Sequence, residues 1–175
     1  PNQLALSRVR RGRRVGLVTD AFALPSFALQ ILKALAGKAE IETDEGRILF
    51  KPMPGAEETL KPKPEATVRW LSAEQSNSSL IVGEVAMIKL IRRISGGLHP
   101  EAEMGRTLTE RGYPHIAPLL GEVTRVAADG TPYVFAVVQG FIHNQGDAWS
   151  GTQNMLDRAI HRANTERERP PPLGR

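Results

Sequence analysis

The stretch GEVAMIKLIRR, residues 83–93, predicts a strand that carries one lysine at its centre. Side chains in a strand alternate between two faces, so Lys89 shares a face with Val85, Met87 and Ile91. An ammonium group on an apolar face is costly unless it is paired with or bound to something negative. Two interpretations follow from this run alone: an edge-strand lysine that reaches water and discourages edge pairing, or a lysine that holds an anion.

Composition sets the class of protein. The chain has 175 residues, of which 41% are hydrophobic and 24% charged, which is typical of a folded domain or two small subdomains. A net charge of +4 is too weak to indicate nucleic-acid binding, and no apolar run is long enough to cross a membrane. There is no cysteine, and the four histidines lack zinc-ligand spacing. We therefore expect a cytoplasmic protein without a nucleic-acid or membrane partner.

The first 66 residues predict an antiparallel sheet with one helix. Residues 4–20 form a strand pair around a glycine turn, 24–38 have the apolar spacing of a helix, and 39–52 form a second hairpin. We expect the helix to lie across a small sheet made by the two hairpins. The proline-rich stretch 51–66 is predicted to be a linker or long surface loop. This part is interpreted as a separate subdomain, with its candidate boundary in that stretch.

The strongest basic cluster is at the turn of the first hairpin, at Arg10, Arg11, Arg13 and Arg14. A solvated hairpin tip is the favoured interpretation, because no aromatic residue lies beside the cluster to stack on bases. A nucleic-acid contact stays open as the alternative. A steep fall of affinity with salt would support it.

The order of elements after residue 66 is that of the small lobe of a protein-kinase-like fold. In that fold a lysine on the third strand holds the nucleotide phosphates, and a glutamate of the following helix pairs with the lysine. The chain predicts strands at 67–72, 78–83, 84–92, 118–127 and 133–141, and helices at 99–112 and 146–163. The fold class is therefore α+β: a sheet-plus-helix cap at 1–66, a five-stranded antiparallel small lobe with one main helix at 67–145, and the start of a large lobe or a linker with a disordered tail at 146–175.

The segments that surround this lysine make the likeness specific. The glycine-rich GxGxxG loop is absent, and LSAEQSNSSLIVG stands in its place at 71–83. AEQSNSS at 73–79, KLIRR at 89–93 and QGFIHNQGDAW at 139–149 resemble the maltokinase family. The resemblance is strong over roughly 70–150 and is closest to maltokinase modules fused behind bacterial trehalose synthases. Residues 1–65 resemble more weakly the cap that precedes the kinase lobe in this family.

The resemblance implies a role for individual residues. Lys89 would bind the α- and β-phosphates of ATP and Glu103 would pair with it, with Glu101 as the rival, since helical spacing alone does not choose. The phosphate-covering loop would be Gln75, Ser76, Asn77 and Ser78, and the adenine hinge would be Val138, Gln139, Gly140 and Phe141. In the alternative interpretation, residues 76–78 are a turn that caps its own backbone. Asp147 is favoured as a helix cap and Trp149 as packing.

The implied reaction is phosphorylation of maltose at its anomeric hydroxyl by ATP, beside a trehalose synthase domain in cis. The base and the Mg²⁺ ligands would lie in a large lobe, and only 25 residues follow residue 150. We expect this chain alone to be inactive, to bind ATP weakly, and to expose apolar surface that could drive homodimerisation. The alternative function is a non-catalytic regulatory or docking module of a trehalose synthase.

Overall fold

An antiparallel sheet of seven strands is the framework of the described part of the chain. The computed structural model describes residues 5–61, 63, 65–71, 77–144 and 148–167. The strands are β1 (Ala5–Arg11), β2 (Arg14–Thr19), β3 (Glu40–Thr43), β4 (Gly46–Pro52), β5 (Val68–Trp70), β6 (Asn77–Val82), β7 (Ala86–Ile91), β8 (Leu119–Val126) and β9 (Pro132–Gly140). The helices are α1 (Pro25–Ala36), α2 (Pro100–Glu110) and α3 (Ala148–Arg167), and a short 3-10 helix spans Ala21–Ala23.

The strand order of the large sheet is β3-β4-β8-β9-β7-β6-β5, and all neighbours are antiparallel. The five strands that follow residue 66 stand side by side, with β7 between β6 and β9. This confirms the α+β class. The sheet is wider than predicted, because β4 pairs with β8 from Arg47 opposite Val126 to Pro52 opposite Gly121. An unpaired edge on β8 would leave a row of open backbone groups, and the β3–β4 hairpin fills it.

The predicted division at residue 66 does not separate two compact bodies. The chain divides instead into a unit that ends at Ile142 and a unit that begins at His143. Within the first unit the proline-rich stretch is packed rather than a surface linker, since Met53, Ala56 and Leu60 are buried. The backbone N–H of Met53 also donates to the carbonyl oxygen of Leu120 at 2.9 Å. That prediction was wrong because the prolines end strand β4 without carrying the chain away from the core.

Helix α1 covers the part of the sheet where β4 and β8 meet. Its buried residues Ala28, Ile31, Leu32 and Leu35 recur at helical spacing, as the sequence predicted. Burial of each of the larger side chains, Ile31, Leu32 and Leu35, stabilises the fold by about 1.5–3 kcal/mol relative to exposure. Gly121 permits the close approach, because a Cβ there would lie 2.9 Å from the Lys51 carbonyl oxygen and 3.1 Å from Leu35.

The β1–β2 hairpin forms its own two-stranded sheet and does not join the second hairpin under α1. The predicted common sheet is therefore wrong. The register places arginines on both faces, with Arg8 opposite Leu17, Arg10 opposite Val15, and Arg11 opposite Arg14. Neither face can be buried against apolar core without desolvating guanidinium groups, so the hairpin stays outside the core.

Helix α3 belongs to the second unit and is described from Ala148 to Arg167; its predicted start near residue 146 lies outside the described residues. Its residues are exposed wherever the structure describes their side chains, including Trp149, Met155, Leu156 and Ile160. In the described ranges, no helix combines the length and the apolar character needed to cross a bilayer.

Candidate functional site

Lys89 lies on an interior strand of the sheet. It stands opposite Ser79 on β6 and Val137 on β9, so both edges of its strand are paired. Its side chain is only 17% exposed. The edge-strand interpretation is therefore wrong: this ammonium group is held beside the sheet, with the buried residues Ala86 and Ile88 on the opposite face of β7.

The partner of Lys89 is Glu101, the second residue of α2. The Nζ–Oε1 distance is 2.7 Å, and the glutamate side chain is 26% exposed. Glu103, the predicted partner, is exposed, so that choice was wrong and its rival was right. Residues two apart on a helix are rotated by about 200°, so Glu101 and Glu103 cannot both face the sheet. The helix presents Ala102 and Gly105 to the core, and this sets which glutamate reaches the lysine.

Two further contacts hold α2 in that rotation. Arg106 forms an ion pair with Glu122 of β8, a carboxylate whose side chain is only 9% exposed. The backbone N–H of Leu119 donates to Thr109 Oγ1 at 2.8 Å. An ion pair removed from water is costly to break from one side, because the remaining charge stays buried. The orientation of Glu101 toward Lys89 is therefore supported from the far half of the helix.

A second polar cluster is centred on Arg92, immediately after β7. Its Nη1 lies 3.0 Å from Asp20 Oδ2, and its Nε donates to Ser78 Oγ at 2.9 Å. The guanidinium carbon also lies 5.5 Å from the ring centroid of Phe22. The backbone N–H of Phe22 and the Arg92 guanidinium stabilise the Asp20 carboxylate and lower its pKa below the usual value. The cluster ties the chain after β2 to the start of β6.

The predicted phosphate loop is only partly within the described residues. Gln75 and Ser76 lie outside them. Asn77 and Ser78 are the first two residues of β6, opposite Ile91 and Leu90, so they form extended strand rather than a turn. Sequence reasoning missed that Arg92 joins Ser78 to Asp20. The only signal for this contact was the pair of arginines at the end of the lysine strand.

The predicted hinge lies at the end of β9, next to the lysine strand. Val138 and Gln139 stand opposite Ile88 and Met87 on β7. Val138 is fully buried, and the N–H of Phe141 donates to the Val85 carbonyl oxygen at 2.9 Å. Because Lys89 stands opposite Val137, the hinge and the ammonium group occupy neighbouring positions on adjacent strands. The structure thus brings together Lys89, Glu101 of α2 and the hinge segment. Ser78 stands opposite Leu90, so its side chain is on the other face of the sheet from Lys89.

Comparison with models of known protein families gives no match. Among solved structures, the chain is similar to one described as glucosamine kinase in complex with glucosamine, ADP and inorganic phosphate. The two share 21% sequence identity and align with a TM-score of 0.51. The alignment covers 81% of this chain and 30% of that chain. The likeness shows a kinase-like fold, and this chain spans less than a third of the length of the kinase it matches.

Proposed function

We propose that this chain is the nucleotide-binding small lobe of an ATP-dependent sugar kinase of the maltokinase type. The observation that carries the proposal is the ion pair between Lys89 on the interior strand β7 and Glu101 on α2. The neighbouring strand β9 leads directly into the predicted hinge. A lysine on the third strand, paired with a glutamate of the following helix, is the arrangement with which kinase folds hold ATP phosphates. The solved kinase of similar fold contains ADP, which supports a nucleotide as ligand.

In this proposal Lys89 binds the α- and β-phosphates while Glu101 holds its ammonium group in place. An ammonium group has three N–H donors, and the described contact with Glu101 uses one of them. The remaining donors can point at phosphate oxygens, whose negative charge compensates the half-buried cation. Gln75, Ser76, Asn77 and Ser78 would cover the phosphates, and main-chain groups of residues 138–141 would bind the adenine.

The γ-phosphoryl group would pass from ATP to a sugar hydroxyl, leaving ADP, while a base accepts the hydroxyl proton. Mg²⁺ accompanies ATP in such transfers. The described residues contain no group of three His, Asp or Glu side chains that could hold a metal ion. In this proposal the base and the metal ligands would belong to a large lobe, and no described residue is given either role.

Maltose as acceptor, with the anomeric hydroxyl as the site of transfer, rests on the likeness of residues 70–150 to maltokinase modules. In the same proposal the lobe belongs to a polypeptide that also contains a trehalose synthase domain. A glucosamine kinase as structural neighbour supports a sugar as acceptor class. It supports glucosamine no less than maltose, so both belong in the test.

The experiment follows phosphate transfer from ATP in the longer protein that this proposal implies, in which the lobe is joined to a large lobe. Maltose is offered with glucose, trehalose and glucosamine as competitors, for the natural protein and for Lys89→Met. We expect maltose 1-phosphate, and a loss of kcat of at least about a hundredfold in the variant. Transfer to another sugar would reject maltose as the acceptor and would leave the assignment as a sugar kinase intact. If the protein is folded but transfers phosphate to none of these sugars, the kinase assignment is rejected and the non-catalytic docking module is the remaining function.

A further inference from the structure

The β1–β2 hairpin presents a surface that the kinase function does not use. Every residue of β1 and nearly all of β2 are exposed. The exposed residues include large apolar side chains, between 44% and 72% exposed, at Leu6, Val9, Val15, Leu17 and Val18. An isolated two-stranded hairpin is marginal in water, and clustered exposed apolar groups mark interaction sites. These properties indicate a surface that is completed by another molecule.

The positive charge of the hairpin indicates that the other molecule carries negative charge. Residues 5–19 contain five arginines and no acidic residue, so the formal charge of +5 exceeds the +4 of the whole chain. The first acid that follows, Asp20, is already occupied by Arg92 and by the N–H of Phe22. The basic groups therefore lack a neutralising carboxylate within the hairpin, and electrostatic complementarity favours an acidic partner.

The two faces of the hairpin distinguish between kinds of acidic partner. The register places arginines and apolar residues together on both faces, so neither face is apolar enough to lie in a lipid surface. No aromatic residue lies between 5 and 19 to stack on nucleic-acid bases. The described residues supply no third strand to either edge. An edge with alternating basic and apolar side chains fits an extended protein segment instead.

We propose that the hairpin binds an extended acidic segment of another protein, which pairs with the free edge of β1 as a third strand. β1 is the favoured edge because it carries Arg8, Arg10 and Arg11, whereas β2 carries only Arg14. The register irregularity of β1 lies at its start, between Ala5 and Ser7, and the pairing is regular from Ser7 to Arg11. A hollow of about 410 Å³, lined by Ala5, Leu6, Ser7, Arg8 and Leu17, lies on the β1 side and has room for side chains of that segment.

The test measures binding of synthetic peptides of about ten residues to the full 175-residue chain. One peptide alternates glutamate with valine. A second has the same sequence and the same charge but carries a methyl group on every backbone nitrogen, so it cannot donate the hydrogen bonds of a strand. Single-stranded DNA and vesicles containing phosphatidylglycerol are the other two probes. We expect the glutamate–valine peptide to bind most tightly and to slow amide hydrogen exchange along β1.

A charge-reversal variant locates the surface. Arg8→Glu combined with Arg10→Glu should weaken binding of the glutamate–valine peptide by about tenfold or more, since it removes complementary charge. The matched control, Arg158→Glu combined with Arg162→Glu on exposed α3, should leave affinity unchanged. Circular dichroism of both variants shows that they fold. Equal binding of the two acidic peptides, tighter binding of DNA or vesicles, or equal effects of the two variants would overturn the proposal.

Discussion

Lys89 and Glu101 are joined by a 2.7 Å ion pair between an interior strand and the first turn of α2. Neither side chain is fully buried, so the pair lies where a ligand can still reach the ammonium group. The helix that supplies Glu101 is itself pinned through Arg106 and Glu122. A lysine that is oriented before a ligand arrives pays less entropy on binding, because its rotamer is already restricted.

The first prediction separates the two glutamates of α2. Glu101→Gln should lower kcat/KM for ATP by about tenfold. The neutral amide accepts a weaker hydrogen bond than the carboxylate, so Lys89 is oriented less firmly. Glu103→Gln removes the same charge two residues away at an exposed position and should leave kcat/KM unchanged. Steady-state kinetics of the longer protein measure both. Equal losses of kcat/KM in the two variants would mean that the helix contributes only its total negative charge and not one oriented carboxylate.

The second prediction concerns Arg92. Arg92→Ala should raise KM for ATP about threefold to tenfold with little change in kcat, because the start of β6, which follows the proposed phosphate loop, loses its link to Asp20. Arg92→Lys should recover only part of the effect, since one ammonium group cannot reproduce the planar fork of donors. Arg93→Ala, at the exposed next position, is the control. A fall in kcat without a change in KM would contradict a positioning role.

The third prediction follows from the lowered pKa of Asp20. The folded state favours the carboxylate, so as pH falls the unfolded chain takes up this proton first. The stabilising contribution is therefore complete above the usual aspartate value of 3.8 and is lost as pH falls below it toward the folded pKa. Denaturant titrations of the natural protein and Asp20→Asn should show a difference in unfolding free energy that shrinks as the pH falls below 3.8. A difference that does not depend on pH would refute this.

The fourth prediction tests the contact between α1, β4 and β8. Gly121→Ala places a methyl group 2.9 Å from the Lys51 carbonyl oxygen and should destabilise the fold by about 1–3 kcal/mol. Gly151→Ala on α3 meets open space and should not lower the unfolding midpoint, since alanine favours a helix. Thermal unfolding measures both. An unaffected Gly121 variant would mean that the two strands can separate at little cost.

Local patterns predicted most elements but not how they assemble. The lysine strand and helix α1 follow from periodicity, which depends only on near neighbours. The pairing of β4 with β8 joins residues far apart in the chain, and no local pattern encodes it. The buried Met53, Ala56 and Leu60 were missed because the prolines around them dominate the sequence signal.

The same limit applies to the candidate site. Lys89 was found from one charge in an apolar run, but the choice between Glu101 and Glu103 needed the rotation of α2, which packing of Ala102 and Gly105 sets. Asp20 and Arg92 are 72 residues apart, and their pairing arises only when β2 and β7 are placed in the fold. The sequence therefore identifies a candidate binding residue more readily than the partner that orients it.

The most direct test of the nucleotide site is titration of the isotopically labelled chain with ADP, followed through its backbone amide resonances. We predict weak, saturable shifts at Ser78, Lys89 and residues 138–141 that disappear in Lys89→Met. The arginines of the β1–β2 hairpin serve as an internal control for loose phosphate binding. Shifts confined to that hairpin, or shifts at the sheet that persist in Lys89→Met, would contradict the assignment of Lys89 as the phosphate-binding residue.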